Sequence, residues 1–125
     1  MFIRRSITDV LMRRAKNSRC LLLTGPRQVG KSTLLKHNYP GVKYYTFDDQ
    51  VLLASATEDP KLFLKNIPKP SILDEVQYAK DLFPYIKIEC DKGERYENYY
   101  LTGSQQMKLM AKAKESLAGR VSILE

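Results

Sequence analysis

The chain has 125 residues, of which 43% are hydrophobic and 28% are charged, and its formal net charge is +7. This length allows one compact domain, in which about two thirds of the surface of the unfolded chain becomes buried. No apolar run approaches the roughly 20 residues that a membrane-spanning helix needs, and residues 1–5 lack the apolar core of a signal peptide. We therefore expect a cytoplasmic protein without a membrane segment.

Basic residues are concentrated at the start of the chain. They are Arg4, Arg5, Arg13, Arg14, Lys16 and Arg19. Such a concentration suits a surface for nucleic acid or another acidic partner. It also suits the solvated face of a short amphipathic helix, with Ile7, Val10 and Leu11 facing inward. We favour the second interpretation, because no interleaved aromatic and basic motif of the RNA-binding kind accompanies these residues.

Helical and strand-like patterns alternate along the chain. The predicted elements are a helix over 6–16, a strand over 20–24, a helix over 31–37, a strand over 42–47, helices over 50–56 and 58–64, a strand over 71–73, a helix over 79–92, a strand over 98–102, a helix over 105–117 and a strand over 121–124. Asp48 and Asp49 are expected to cap the helix that starts near Gln50. The alternation predicts an α/β fold, with a parallel sheet covered by helices on both faces.

Residues 25–32 form a complete phosphate-binding loop of the pattern G-x-x-x-x-G-K-[ST], between a strand and a helix. Gly25 and Gly30 allow the backbone to approach phosphates closely. Lys31 is expected to reach the β- and γ-phosphates, and the Ser32 hydroxyl to bind Mg²⁺. The whole predicted nucleotide-binding set is Gly25, Pro26, Arg27, Gln28, Val29, Gly30, Lys31, Ser32 and Thr33. The sequence therefore predicts that ATP and Mg²⁺ bind here, and the absence of an Asn-Lys-x-Asp string favours ATP over GTP.

A second motif is the apolar stretch Ile72-Leu73 followed by Asp74 and Glu75, which has the Walker B pattern. Asp74 is expected to hold Mg²⁺, and Glu75 to act as the base that polarises the attacking water. On its own the pattern is also that of a strand end followed by a helix cap. The complete phosphate-binding loop upstream favours the functional interpretation.

A third motif is the strand-like run Tyr99-Tyr100-Leu101, which ends in Thr102, Gly103 and Ser104. Ligands of doubly wound sheets bind at the carboxyl ends of the strands. If this strand lies between the first and third strands, Thr102 is expected between the loop and the acidic pair. There it would sense the γ-phosphate or orient the water, whereas Ser104 equally suits the N-cap of the next helix.

The loop, the Leu73–Gln77 segment, the Leu101–Ser104 segment and the Ser116–Arg120 segment occur in this order. Together they resemble the AAA+-type ATPase domain of a large group of bacterial and archaeal ATP-binding proteins. The resemblance implies a three-layer α/β/α P-loop NTPase with a parallel sheet of order 5-1-4-3-2. Members of that group are longer and carry further C-terminal domains. We therefore expect residues 1–125 to be a single ATPase core from a longer protein, with the last strand incomplete.

The resemblance also implies a role for Arg120. In many related ATPases an arginine from a neighbouring subunit stabilises charge in the transition state, which would require a homo-oligomer. The alternative is that Arg120 anchors the last strand through a salt bridge. With Arg120 included, the expected catalytic residues are Glu75, Lys31, Thr102 and Arg120.

Three functions are compatible with these motifs. We favour binding of ATP and its hydrolysis with Mg²⁺, with slow turnover and self-association expected of residues 1–125 alone. The alternative is a nucleotide-dependent switch with negligible turnover, coupled to DNA or to a protein partner through further C-terminal domains. A small P-loop kinase is the third, but we find no signature of a lid or an acceptor site.

Overall fold

The computed structural model describes residues 9–10, 13, 18–25, 30–92, 96–104 and 107–124. The elements are β1 (Cys20–Thr24), α1 (Lys31–Asn38), β2 (Lys43–Thr46), α2 (Gln50–Glu58), α3 (Pro60–Lys65), β3 (Ser71–Asp74), a 3₁₀ segment (Val76–Leu82), α4 (Phe83–Cys90), β4 (Tyr99–Gly103), α5 (Met107–Ser116) and β5 (Val121–Leu124). Of the helix predicted over 6–16, Asp9, Val10 and Arg13 are helical, and its other residues lie outside the described ranges.

The five strands form one sheet of order β2-β3-β4-β1-β5, in which every neighbouring pair is parallel. This is the predicted order, read from the other edge. Leu22 of β1 pairs with Leu101 of β4 on one side and with Ile123 of β5 on the other. Because all strands run in one direction, their carboxyl ends lie at the same edge of the sheet.

Side chains at alternate positions of the strands pack into two separate hydrophobic cores, one on each face of the sheet. Leu21 and Leu23 pack on the face that α1 covers, together with Leu34 and Leu35 of that helix. Cys20 and Leu22 pack on the opposite face, in a larger core that holds Phe63, Phe83, Ile86, Leu109 and Leu117 from the remaining helices. Successive strand side chains lie on opposite faces. The predicted three-layer α/β/α architecture is therefore confirmed.

The predicted helix over 79–92 is wrong in its first part. Val76–Leu82 forms a 3₁₀ segment with a non-helical backbone at Ala79 (φ −131°, ψ 46°), and the α-helix begins only at Phe83. Pro84 lies in the first turn of that helix, where its missing N–H is tolerated. The proline therefore fixes where regular helix begins. The helix predicted from residue 105 is described from Met107, because 105–106 lie outside the described residues.

Candidate functional site

The phosphate-binding loop joins the end of β1 to the start of α1. Its first glycine, Gly25, has a φ of 146°, and its second, Gly30, has a φ of 67° directly before α1 begins. Both values lie in the region that side-chain-bearing residues rarely adopt. A Cβ on Gly30 would make only an ordinary contact, 3.9 Å from Thr33 Cβ, so backbone conformation is what favours glycine there. Pro26, Arg27, Gln28 and Val29 lie outside the described residues.

Lys31 is the first residue of α1 and is only 5% exposed. Its ammonium group donates to the carbonyl oxygen of Gly25 at 2.7 Å and to that of Gly103 at 2.8 Å. These contacts join the start of the loop to the carboxyl end of β4, so the buried cation lies beside the first residue of the loop. Ser32 follows it half-buried, and Thr33 is exposed.

Asp74 is the last residue of β3, and hydroxyl groups from both neighbouring strands hold its carboxylate. Its Oδ2 accepts from the Tyr44 hydroxyl at 2.8 Å and from Thr46 Oγ1 at 2.9 Å, both on β2. Its Oδ1 accepts from Thr102 Oγ1 of β4 at 2.5 Å. An ionised carboxylate offers about four acceptor positions. Three are filled by the protein, which fixes the group and leaves it able to bind a cation.

Tyr44 donates to this carboxylate and also lies against Lys36 of α1. Burial raises the pKa of Tyr44 to about 12, helped by its hydrogen bond to Asp74 and by the charge of that residue, while a hydrogen bond with Ser32 acts in the opposite direction. The ammonium of Lys36 lies 3.7 Å from the centre of the Tyr44 ring. The phenol is thus a neutral donor to Asp74, one of the two predicted magnesium ligands.

Glu75 follows Asp74 in a left-handed backbone conformation, with φ 60° and ψ 50°. Such a conformation costs a non-glycine residue roughly 1–2 kcal/mol and is often found at functional sites. The backbone N–H of Glu75 donates to Thr102 Oγ1 at 3.1 Å, and its Oε1 accepts from Gln77 Nε2 at 2.6 Å. Both contacts hold the residue in this strained position.

A third carboxylate, that of Asp48, joins the acidic pair. One oxygen each from Asp48, Asp74 and Glu75 lie within 4.8 Å of one another. The prediction that Asp48 helps to cap α2 is corrected here. The cap is Asp49, whose Oδ1 accepts from Val51 N at 2.9 Å and from Leu52 N at 3.3 Å. Hard oxygen ligands of this kind suit Mg²⁺.

Two buried hydroxyl groups at this edge lack a hydrogen-bond partner among the described residues. They belong to Thr24, at the end of β1, and to Ser104, directly after β4. Buried polar atoms in native proteins are nearly always hydrogen-bonded, and a phosphate group offers several acceptor oxygens. Together with the cation of Lys31 and the three carboxylates, these hydroxyls fit a magnesium-bound triphosphate.

Arg120 directly precedes β5 and lies beside the amino end of β1, at the end of the strands opposite to the loop. Its carbonyl oxygen accepts from Cys20 N at the start of β1, and its guanidinium binds Asp91 at 2.8 and 3.1 Å. This bidentate pair lowers the pKa of Asp91. Within one chain, therefore, Lys31, Asp74, Glu75 and Thr102 are brought together, and Arg120 is not.

Sequence reasoning missed Tyr44 and Thr46 as partners of Asp74. The only available signal was their alternate spacing on a strand expected beside β3.

Gln77, two residues after Glu75, also belongs to the site. Its Nε2 donates to Glu75, and its Oε1 accepts from the backbone N–H of Ser104 at 3.3 Å.

A family model described as an AAA domain matches residues 17–125, which is most of the chain. The chain belongs to the AAA domain family. An uncharacterized protein of Mycobacterium bovis and one of Mycobacterium tuberculosis are each 35% identical to it over 127 residues. Each match covers 100% of this chain and 29% of the relative, so the chain spans under a third of the length of these curated relatives.

Family membership supports nucleotide binding on a P-loop NTPase fold, in agreement with the sheet order and with the loop between β1 and α1. AAA domains generally bind ATP together with Mg²⁺. Among the described helices, none has both the length and the apolar character needed to cross a membrane.

Proposed function

We propose that this AAA domain binds ATP with Mg²⁺ at the carboxyl ends of β1, β3 and β4, and that it hydrolyses the bond between the β- and γ-phosphates to give ADP and phosphate. The observation that carries the proposal is the connection between the loop and the acidic pair through two consecutive residues of β4. Gly103 O accepts from Lys31, and Thr102 Oγ1 contacts both Asp74 and Glu75 N. The groups proposed for binding and for chemistry thus contact consecutive residues of one strand.

Binding rests on the loop and on the first turn of α1. Lys31 supplies a buried cation, and the first turn of the helix adds the positive end of its dipole. Phosphate oxygens are stronger partners for the Lys31 ammonium than its two carbonyl oxygens, because phosphate carries a full negative charge and a carbonyl does not. When nucleotide binds, the ammonium group would therefore exchange these carbonyl partners for oxygens of the β- and γ-phosphates.

Ser32 and Asp74 would hold Mg²⁺, with Asp48 close enough to bind one of the water molecules of the ion. When bound, the ion neutralises charge that develops on the phosphates. Tyr44 and Thr46 keep the Asp74 carboxylate in one orientation by donating to its Oδ2. Partners of this kind commonly change the metal affinity of a site by about 10- to 100-fold.

Glu75 is the residue that we assign as the base. It is 8% exposed, it follows the magnesium-binding carboxylate, and its backbone strain and two hydrogen bonds fix its position. A carboxylate held in place can orient a water molecule and accept its proton during in-line attack on the γ-phosphate. Lys31 would stabilise the charge that accumulates on the phosphate oxygens.

The test compares phosphate release and nucleotide affinity in wild type, Glu75→Gln and a matched Glu58→Gln control. Glu58 is an exposed residue at the end of α2, remote from the loop. We expect all three proteins to bind Mg-ATP equally in calorimetry. We expect Glu75→Gln alone to release phosphate about a hundredfold more slowly.

Equal turnover in wild type and Glu75→Gln would refute the assigned base. Tight binding of Mg-ATP without turnover in wild type would instead favour the alternative, a nucleotide-dependent switch. The absence of any Mg-ATP binding would overturn both functions.

A further inference from the structure

The side chain of Gln77 spans the space between the proposed base and the turn after β4. Its Nε2 donates to Glu75 Oε1 at 2.6 Å, and its Oε1 accepts from the backbone N–H of Ser104 at 3.3 Å. Gln77 lies in the 3₁₀ segment only two residues after Glu75, and it is half-buried. A single amide therefore joins the end of β3 to the β4–α5 connection.

The chemistry of the amide defines its orientation. A backbone N–H can only donate, so the atom that faces Ser104 must be the amide oxygen. The NH₂ group then faces Glu75, where it is a donor to an acceptor-only carboxylate. Reversing the amide would leave both contacts without a matching partner. The pair of contacts thus fixes both the rotamer of Gln77 and the direction of the Glu75 carboxylate.

Glycine at position 103 leaves room for Leu109 above all, and also for the Gln77 amide. A Cβ at Gly103 would lie 2.6 Å from Leu109 Cδ2, and 3.3 Å from both Gln77 Oε1 and Val76 Cγ2. The carbonyl of the same residue accepts from Lys31. One glycine therefore contacts the phosphate-binding lysine on one side and packs against the partner of the base on the other.

We propose that Gln77 is a positioning residue that holds the Glu75 carboxylate in place by anchoring it to the Ser104 backbone. This inference rests on the proposed function, because it assigns a role relative to the base. The described contacts of Gln77 are with the Glu75 carboxylate and the Ser104 backbone, so its removal is expected to act on the rate of the chemical step. The affinity for Mg-ATP remains unchanged.

The experiment uses Gln77→Ala and Gln77→Glu, each with a matched change at Asn66, namely Asn66→Ala and Asn66→Asp. Asn66 is an exposed amide in the connection from α3 to the amino end of β3, whereas Gln77 follows the carboxyl end of that strand. Gln77→Glu keeps the shape of the side chain and its acceptor for Ser104 N–H, but it removes the donor to Glu75.

We expect both Gln77 variants to lower kcat about tenfold or more, since a misplacement of about 1 Å at a reacting group can cost up to about a hundredfold. KM and the calorimetric affinity for Mg-ATP should stay at the wild-type values, and both Asn66 variants should match wild type. If Gln77 only supported the fold, Gln77→Glu would keep wild-type turnover. That result would overturn the proposal.

A double-mutant cycle separates this inference from the proposed function. If Gln77 acts through Glu75, adding Gln77→Ala to Glu75→Gln produces no further loss of kcat. Additive losses would contradict the positioning role. If Glu75→Gln itself has full turnover, the proposed function fails first. If Glu75→Gln is slow but the Gln77 variants are not, only the present inference fails.

Discussion

Thr102 Oγ1 accepts a hydrogen bond from the backbone N–H of Glu75 at 3.1 Å and donates one to Asp74 Oδ1 at 2.5 Å. One fully buried hydroxyl of β4 therefore contacts both Asp74, the last residue of β3, and Glu75, which follows it. The two strands are neighbours in the sheet. The hydroxyl therefore determines where the carboxylate of Asp74 and the strained backbone of Glu75 lie relative to the loop.

Replacing this hydroxyl tests the connection between β3 and β4. Thr102→Val removes it with almost no change of shape, and leaves the buried N–H of Glu75 and Oδ1 of Asp74 without this partner. We expect the free energy of unfolding to fall by about 1–3 kcal/mol, with a higher Mg²⁺ requirement for nucleotide binding. Thr102→Ser, which keeps the hydroxyl, should retain the wild-type Mg²⁺ requirement. Denaturant titration and calorimetry measure the two quantities, and equal behaviour of both variants would contradict the assignment.

The left-handed conformation of Glu75 predicts a conflict between stability and activity. Glycine adopts this conformation without strain, so Glu75→Gly should raise the free energy of unfolding by about 1 kcal/mol while turnover is lost. Glu97 provides the matched control. It has a φ of 57°, and its Oε1 accepts from the Tyr100 hydroxyl at 3.0 Å. Glu97→Gly should gain similar stability but keep turnover. Unchanged turnover in Glu75→Gly, or a loss of stability in Glu75→Gly together with a gain in Glu97→Gly, would contradict this prediction.

Arg120 and Asp91 form a pair whose variants distinguish the two roles considered for the arginine. If Arg120 only anchors the start of β5, Arg120→Gln and Asp91→Asn should have the same small effect on thermal stability and no effect on kcat. If Arg120 instead serves the site of a neighbouring subunit, only Arg120→Gln should abolish turnover. Because the bidentate contact with Asp91 occupies the guanidinium, we expect the first result. Phosphate release at several protein concentrations measures it.

The lowered pKa of Glu89 predicts that the free energy of unfolding decreases in acid. Burial raises the pKa of Glu89, but hydrogen bonds from Lys92 and Lys69, at 2.7 and 3.2 Å, outweigh it and hold the pKa below the ordinary value of 4.5. The unfolded state then binds the proton more readily than the folded state. The stabilisation is complete above about pH 4.5 and is lost as the pH falls further. Unfolding titrations of Glu89→Gln should show a weaker loss below that pH than wild type, and parallel curves would contradict the prediction.

Much of the candidate site could be predicted because its residues belong to short contiguous motifs. The loop and Glu75 each follow a strand, and Asp74 and Thr102 lie at the carboxyl ends of strands. Parallel strands bring their carboxyl ends to one edge. The strand order that places Thr102 beside Asp74 came from the resemblance to AAA+ domains, since hydrophobic patterns do not specify which strands pair.

Other parts depended on contacts that no local pattern encodes. Tyr44 and Thr46 reach Asp74 only because β2 pairs with β3 in a register that sets Thr46 opposite Asp74. The carboxylate of Asp48 was assigned to a helix cap, because two consecutive aspartates before a helix compete for that position and sequence does not decide between them. Residues 79–82, the second half of the 3₁₀ segment, are predicted as α-helix, since side chains three residues apart lie close together in both kinds of helix.

The most direct test of the central claim measures Mg-ATP affinity by calorimetry in wild type, Lys31→Ala and Lys43→Ala. Lys43 is exposed at the start of β2, at the edge of the sheet away from the loop, so it controls for the loss of one positive charge. Losing one charge-assisted contact to phosphate costs about 1.5–3 kcal/mol. We therefore expect the affinity of Lys31→Ala to fall at least about tenfold, while Lys43→Ala binds as wild type does. Equal affinities in wild type and Lys31→Ala would contradict the assignment of residues 25–32 as the nucleotide-binding loop.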